Sequence, residues 1–340
     1  MKSAVYLGKE NIRVEDLDIP QISDGELLLR VKAVGVCPTD VKAFYSGSSS
    51  IATPRILGHE VSGIIEKSKS NKFAVGARVN VAADSPCMVC DRCLRGLHNM
   101  CRNLTSLGVN VDGGYSEFMR IPADYIKNGM VIKLSDNVSF IEGTFVEPVA
   151  VSINALSLAR PEKIRKAIII GDGPNAMIHL QLLKKYYKVP EVYVTGIIES
   201  RLQMARNFGA SKAIDVVHDH DSLENIKGNM DFIDITIGNR KALDQALTFI
   251  DAGTYLVVFG GSLEDSIITT SMNQLHYNQV TYTGSTGTTL EHYNEAAGIV
   301  NNKILDLENI ISKAFPIETI KDAFLYSREL KGMKGAITFD

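Results

Sequence analysis

Along the first 150 residues, hydrophobic and polar positions come in short runs. Glu26-Leu-Leu-Leu-Arg-Val-Lys-Ala-Val, Val61-Ser-Gly-Ile-Ile-Glu and Gly76-Ala-Arg-Val-Asn-Val-Ala are apolar or alternating stretches bounded by Gly, Pro and Asp. Runs of this kind predict strands. Their density, with frequent turns, predicts a barrel-like or irregular antiparallel domain.

The period changes near Glu147. Pro148 to Ala159 has helical spacing, and Lys166-Ala-Ile-Ile-Ile-Gly171 is almost continuously apolar, as in a sheet buried on both faces. Strand and helix signals then alternate. Helices are predicted over Pro174 to Tyr187, Arg201 to Phe208 and Lys241 to Ile250. Strands are predicted at Val192 to Thr195, Ala213 to Val216, Asp231 to Thr236 and Thr254 to Gly260. Repeated βα units of this length make an α/β fold with a doubly wound parallel sheet. The chain closes with amphipathic helices near His292 to Asn301 and Ile317 to Tyr326, then a strand, Gly335 to Phe339.

A chain of 340 residues exceeds what one core usually serves, so two domains are expected. The net charge of -3 argues against a nucleic-acid partner, which would need a basic patch. No stretch approaches the roughly 18 apolar residues of a spanning helix. The N-terminal residues, with Lys2, Lys9 and Glu10, lack a signal-peptide core. The expectation is a cytoplasmic protein with no membrane partner.

Five cysteines do not make a closed disulfide framework. Four of them, Cys87, Cys90, Cys93 and Cys101, are crowded into one loop. Four thiolates satisfy the closed tetrahedral shell of a structural zinc. A redox pair and an iron–sulfur centre compete for the same spacing. The region does not resemble a thioredoxin-like βαβ unit, and no second cluster signature accompanies it. His98 lies in the same loop and reads as an exposed loop histidine.

Cys37 follows an apolar strand, His59 and Glu60 open another, and Glu147 stands where the fold type changes. A thiol, an imidazole and a carboxylate from three segments can make a three-ligand site with a fourth position open, as catalytic zinc requires. Each also has a plainer reading. Cys37 could be a small buried hydrophobe, His59 a satisfied core or surface residue, and Glu147 a charge at a helix N-terminus.

Gly171-Asp-Gly173-Pro174-Asn175-Ala176 lies between a buried strand and a helix. There the dinucleotide fingerprint uses Gly171 for the tight turn, Gly173 for close approach of a pyrophosphate and Ala176 for helix–strand packing. The acidic residue expected at the end of the next strand, to bind the ribose 2′-hydroxyl, is replaced by Gly196, with Arg201 five residues on. That substitution favours NADP over NAD.

Taken in order, Cys37, Gly58-His59-Glu60, the four loop cysteines, Gly113-Gly-Tyr-Ser-Glu-Phe, Glu147-Pro148 and Gly171-x-Gly173 resemble the zinc-containing medium-chain dehydrogenase/reductase family over essentially the whole chain. Glu147-Pro148 resembles the sorbitol, threonine and sugar-alcohol dehydrogenase branch. The resemblance implies a β-rich, GroES-like catalytic domain over 1–150 and 286–340, and a Rossmann dinucleotide-binding domain over 151–285. It implies two zincs per chain, with Cys37, His59 and either Glu60 or Glu147 at the catalytic one. It also implies NAD or NADP as cofactor and a homodimer or homotetramer. Thr39 would pass the substrate proton outward, and Asp40 would orient the histidine. Pro38, Lys42 and Lys69 depart from the family pattern, and Lys42 stands where many relatives carry a relay histidine. The implied reaction moves hydride between the carbinol carbon of a polyol, sugar alcohol or related secondary alcohol and NAD(P). Threonine and vicinal diols are alternative donors. Rival readings are a zinc-free enoyl or quinone reductase and a non-enzymatic dinucleotide-binding zinc protein.

Overall fold

The computed structural model describes residues 1–261 and 267–340. The chain divides into two units, Met1–Ala150 with Gly287–Asp340, and Val151–Thr286.

In the first unit, the strand Leu27–Gly35 buries Leu27, Leu28, Leu29, Val31, Ala33 and Val34. It pairs antiparallel with Val61–Ser68, Phe118–Ile121 and Lys334–Thr338. The sheet continues through Arg78–Val81 to Val131–Lys133 on one side and through Lys334–Thr338 to Ile311–Pro316 on the other. The last pairing, Ile311–Pro316 with Lys334–Thr338, is parallel, so the sheet is mixed where antiparallel pairing was expected throughout. The cause is local: the helix Ile320–Arg328 lies between those strands and carries the chain back, as a crossover must for parallel neighbours. A hairpin of Lys2–Gly8 and Asn11–Asp16, not evident in the hydrophobic pattern, adds a separate small sheet.

Two features of this unit place chemistry. The helix Pro38–Ser46 begins with Pro38 in its first turn, where a missing N–H costs nothing. Cys37 is its N-cap but makes no side-chain capping bond, so the thiol is not consumed by the helix end. The helix Val146–Ser157 carries Glu147 in its first turn.

Among the described residues, the second unit holds a six-stranded, wholly parallel sheet. Its order is Lys212–Asp215, Glu191–Gly196, Lys166–Ile170, Phe232–Ile235, Tyr255–Val258, Thr281–Gly284. The central strand Lys166–Ile170 buries Ala167 through Ile170, which is why it reads as a continuous apolar run. In sequence order the strands run third, second, first, fourth, fifth, sixth. Such a sheet binds ligands beyond the carboxyl ends of its strands, at the point where the order reverses. The helix after the first strand is regular over Pro174–Gln181 and widens into a π-turn over Leu182–Tyr186, a break the sequence pattern did not signal. No described helix is long and apolar enough to cross a membrane.

Candidate active site

The turn after the strand Leu27–Gly35 delivers Cys37, and the entrance to Val61–Ser68 delivers His59 and Glu60. Nδ1 of His59 lies 3.4 Å from Oδ1 of Asp40, which is buried. The hydroxyl of Tyr115, also buried, donates to Oδ2 of Asp40 at 3.0 Å. Burial pulls the His59 imidazole down, but Asp40 and Cys37, through charge and hydrogen bonding, outweigh it and hold its pKa well above the ordinary value. Cys37 and His59 therefore share one environment. With Nδ1 turned to Asp40, Nε2 of His59 is the nitrogen left for a ligand. Thr39 lies in the first turn of the following helix and is exposed, as is Lys42 three residues on.

The two candidate carboxylates have different surroundings. Both oxygens of Glu60 face Nζ of Lys334, at 2.9 and 2.7 Å, and the two side chains are buried together. Lys334 also donates to the Val36 carbonyl at 3.3 Å. Glu147 has no such lysine; its Oε2 accepts a long bond, 3.5 Å, from the Ala83 N–H. Burial, helped by the negative charge of Asp84 and opposed by His59, pushes the Glu147 carboxyl up to about 8. Asp84, whose carboxylate accepts from the Ser106 hydroxyl, is also raised by burial. Cys37 and Asp40 act on His59, and His59 in turn acts on Glu147 and Asp84, whose carboxyls are raised first by burial. Among the described residues, the donor atoms of Cys37, His59 and Glu147 are not gathered as closely as a metal shell.

The loop cysteines converge more tightly. One sulfur from each of Cys87, Cys90, Cys93 and Cys101 lies within 4.8 Å of the others. Cys90 Sγ is 3.5 Å from Cys93 Sγ and 4.0 Å from Cys101 Sγ. A tetrahedron with Zn–S of about 2.3 Å has edges of about 3.8 Å, so these separations are those of a zinc shell. The N–H groups of Cys87 and Asn103 donate to Cys101 Sγ at 3.2 and 3.3 Å. Backbone N–H groups of Arg102 and Cys93 draw the Cys90 thiol down to about 6, while burial pushes Cys93 up to about 12. His98 is more than an exposed loop residue: it is half-buried, and its Nδ1 accepts from the Leu290 N–H at 3.3 Å, at the start of the helix Leu290–Asn301.

In the second unit, Gly171 has φ 125°, and a Cβ there would lie 2.5 Å from Oγ1 of Thr236. Only glycine fits that turn. Around the Cβ position of Gly173 no described atom lies within 4 Å, so the start of the helix Pro174–Gln181 is open to an approaching phosphate. Pro174 and Asn175 are partly exposed at that helix start, and Ala176 is fully buried against the sheet. The place left by the missing side chain of Gly196 is not empty: the carboxylate of Asp172 stands there, 2.4 Å from where a Cβ would be. Arg201 is buried, with Nη1 3.7 Å from Oδ1 of Asp172.

Residues 23–136 match the alcohol dehydrogenase GroES-like domain, and residues 176–302 match the zinc-binding dehydrogenase family. An alcohol dehydrogenase of Geobacillus stearothermophilus is 31% identical over 98% of this chain and 97% of its own. The chain belongs to the zinc-dependent medium-chain dehydrogenase/reductase family. A sorbitol dehydrogenase of Bombyx mori is 27% identical over 98% of this chain and 97% of its own. An alcohol dehydrogenase from E. coli CFT073, solved with NADH, superposes with a TM-score of 0.89 at 26% identity, covering 100% of this chain and 99% of that one. As a medium-chain dehydrogenase, this chain is an oxidoreductase acting on a CH–OH group.

Within that family frame, four side chains around the candidate sites were not singled out by motif spacing: Tyr115, Asp84, Lys334 and Asp172. Tyr115 lies inside the Gly113-Gly-Tyr-Ser-Glu-Phe run and Asp172 inside the glycine turn. Asp84 and Lys334 had no local signal. They reach the site through strand pairing.

Proposed function

We propose that Cys37, His59 and Glu147 hold the catalytic zinc of a polyol or sugar-alcohol dehydrogenase, while Cys87, Cys90, Cys93 and Cys101 hold a second, structural zinc. The observation that carries this reading is the contrast between the two carboxylates. Lys334 already neutralises Glu60, whereas burial first, and then the charge of Asp84, pushes the Glu147 carboxyl up to about 8, so an arriving cation would find there an oxygen donor with no lysine paired to it among the described residues. Glu60 then stands behind the site as a reserve oxygen donor. In this reading Met1–Ala150 with Gly287–Asp340 is the catalytic unit, and Val151–Thr286 binds the dinucleotide through Gly171, Gly173, Pro174, Asn175 and Ala176.

Cys37, His59 and Glu147 would hold a zinc that would supply Lewis acidity toward the substrate hydroxyl, and the turn at Gly171 and Gly173 would hold a dinucleotide that would supply the hydride acceptor. The protein's own residues do the rest. Asp40 fixes the ring of His59, and Tyr115 fixes Asp40, so the imidazole presents one nitrogen in one orientation. Thr39, exposed beside Cys37, takes the hydroxyl proton outward. The five cysteines, none of them in a disulfide, fit a reducing, cytoplasmic setting. A homodimer or homotetramer belongs to the same reading.

The sorbitol dehydrogenase relative supports a polyol donor. The test is a panel of sugar alcohols, their phosphates, threonine and vicinal diols, each with NAD and with NADP, followed by reduced nicotinamide absorbance. Turnover is expected with a polyol or polyol phosphate. Turnover confined to threonine or to simple diols would replace the proposed substrate class.

A further inference from the structure

The absence of an acid at residue 196 was the reason to expect NADP. The structure puts an acid in that place by another route. Gly196 ends the strand Glu191–Gly196, and a Cβ built on it would meet Asp172 Oδ2 at 2.4 Å and Asp172 Cβ at 2.5 Å. The Asp172 side chain thus fills the volume that a side chain at 196 would use. Its Oδ2 accepts the N–H groups of Ile197 at 2.8 Å and Ile198 at 3.0 Å. These are the two amides next to the strand end, and both are directed at the carboxylate. Its Oδ1 lies 3.7 Å from Nη1 of Arg201, on the helix Glu199–Asn207.

In a doubly wound sheet the adenosine ribose rests at the carboxyl end of the second strand, where a carboxylate accepts from its hydroxyls. A carboxylate offers about four lone-pair sites. The two amides bond Oδ2, and Oδ1, with Arg201 at ion-pair distance, keeps lone-pair capacity for a ribose hydroxyl. A 2′-phosphate would instead bring negative charge against Asp172. It would find the nearby N–H donors engaged and Arg201 facing the acid.

We propose that Asp172, from within the glycine turn, is the residue that selects NAD over NADP, replacing in space the acid missing at Gly196. The inference rests on reading Val151–Thr286 as the dinucleotide-binding unit.

The test uses the full chain and calorimetric titration with AMP and with adenosine 2′,5′-bisphosphate, which needs no turnover. The parent protein is expected to bind AMP more tightly. Asp172→Asn keeps the shape and removes the negative charge that faces the ribose position, so the ratio of the two dissociation constants should move toward the bisphosphate by about tenfold or more. Adding Arg201→Met to that variant should take most of the gain away. A role confined to holding the turn would weaken both ligands alike and leave the ratio where it was. A parent that prefers the bisphosphate, or an unchanged ratio in Asp172→Asn, overturns the proposal. Binding of neither nucleotide by the parent would overturn the dinucleotide reading beneath it. The parental ratio requires no variant, so the test survives a substitution that fails to fold.

Discussion

Oδ1 of Asp40 lies 3.4 Å from Nδ1 of His59, and neither residue is left to choose its orientation. Tyr115 holds the other oxygen of Asp40, and Asp40 sits two positions beyond the exposed Pro38 on a short helix whose N-cap is Cys37. One helix start thus carries the Cys37 thiol and the acid that faces the His59 ring.

Asp40→Asn should therefore weaken the catalytic site without dismantling the fold. Outer partners of metal-bound histidines are commonly worth about 10–100-fold in metal affinity or activity. Chelator competition should show one of two zincs lost in that range, with kcat/KM falling alongside. Tyr115→Phe should do the same more weakly. Unaltered zinc retention in Asp40→Asn would remove Asp40 from this role.

Replacing Cys93, the most buried of the loop cysteines, with Ser should act on stability instead of chemistry. The loop has exposed apolar residues such as Val89 and Leu94 and little core of its own, so a bound metal is its main cross-link. Thermal unfolding should begin lower, and the zinc content should fall by one. At a temperature where the variant is folded, the turnover per remaining catalytic zinc should be close to the parental value. An equal melting temperature would contradict this.

Lys334→Met should be costly because it leaves Glu60 buried without its cation. Breaking one side of a buried pair costs about 3–5 kcal/mol. Urea denaturation should show a loss of that order, and Lys334→Met combined with Glu60→Gln should recover a large part of it. A single variant as stable as the parent would show that water reaches Glu60.

These positions also separate what was legible in the sequence from what was not. The cysteine lobe was legible because its four thiols are close neighbours in sequence, and spacing alone limits where four sulfurs can meet. The turn at Gly171 was legible because strand, glycines and helix follow one another directly. Cys37, His59 and Glu147 come from three segments, and only the order of whole motifs connected them. Lys334 reaches Glu60 because the last strand pairs beside Leu27–Gly35, a register no local pattern announces. Asp172 was in view as a residue but not as a direction: its side chain turns toward the next strand, and a residue-by-residue reading of strand ends saw only the gap at Gly196. The parallel pairing of the last two strands was hidden for the same reason.

Zinc content, NAD binding and polyol oxidation measured together in the parent protein and in Cys37→Ala bear most directly on the role of Cys37. Two zincs are expected in the parent and one in the variant, with dinucleotide binding nearly intact and turnover abolished. A variant that kept both zincs and oxidised substrate at the parental rate would contradict that role.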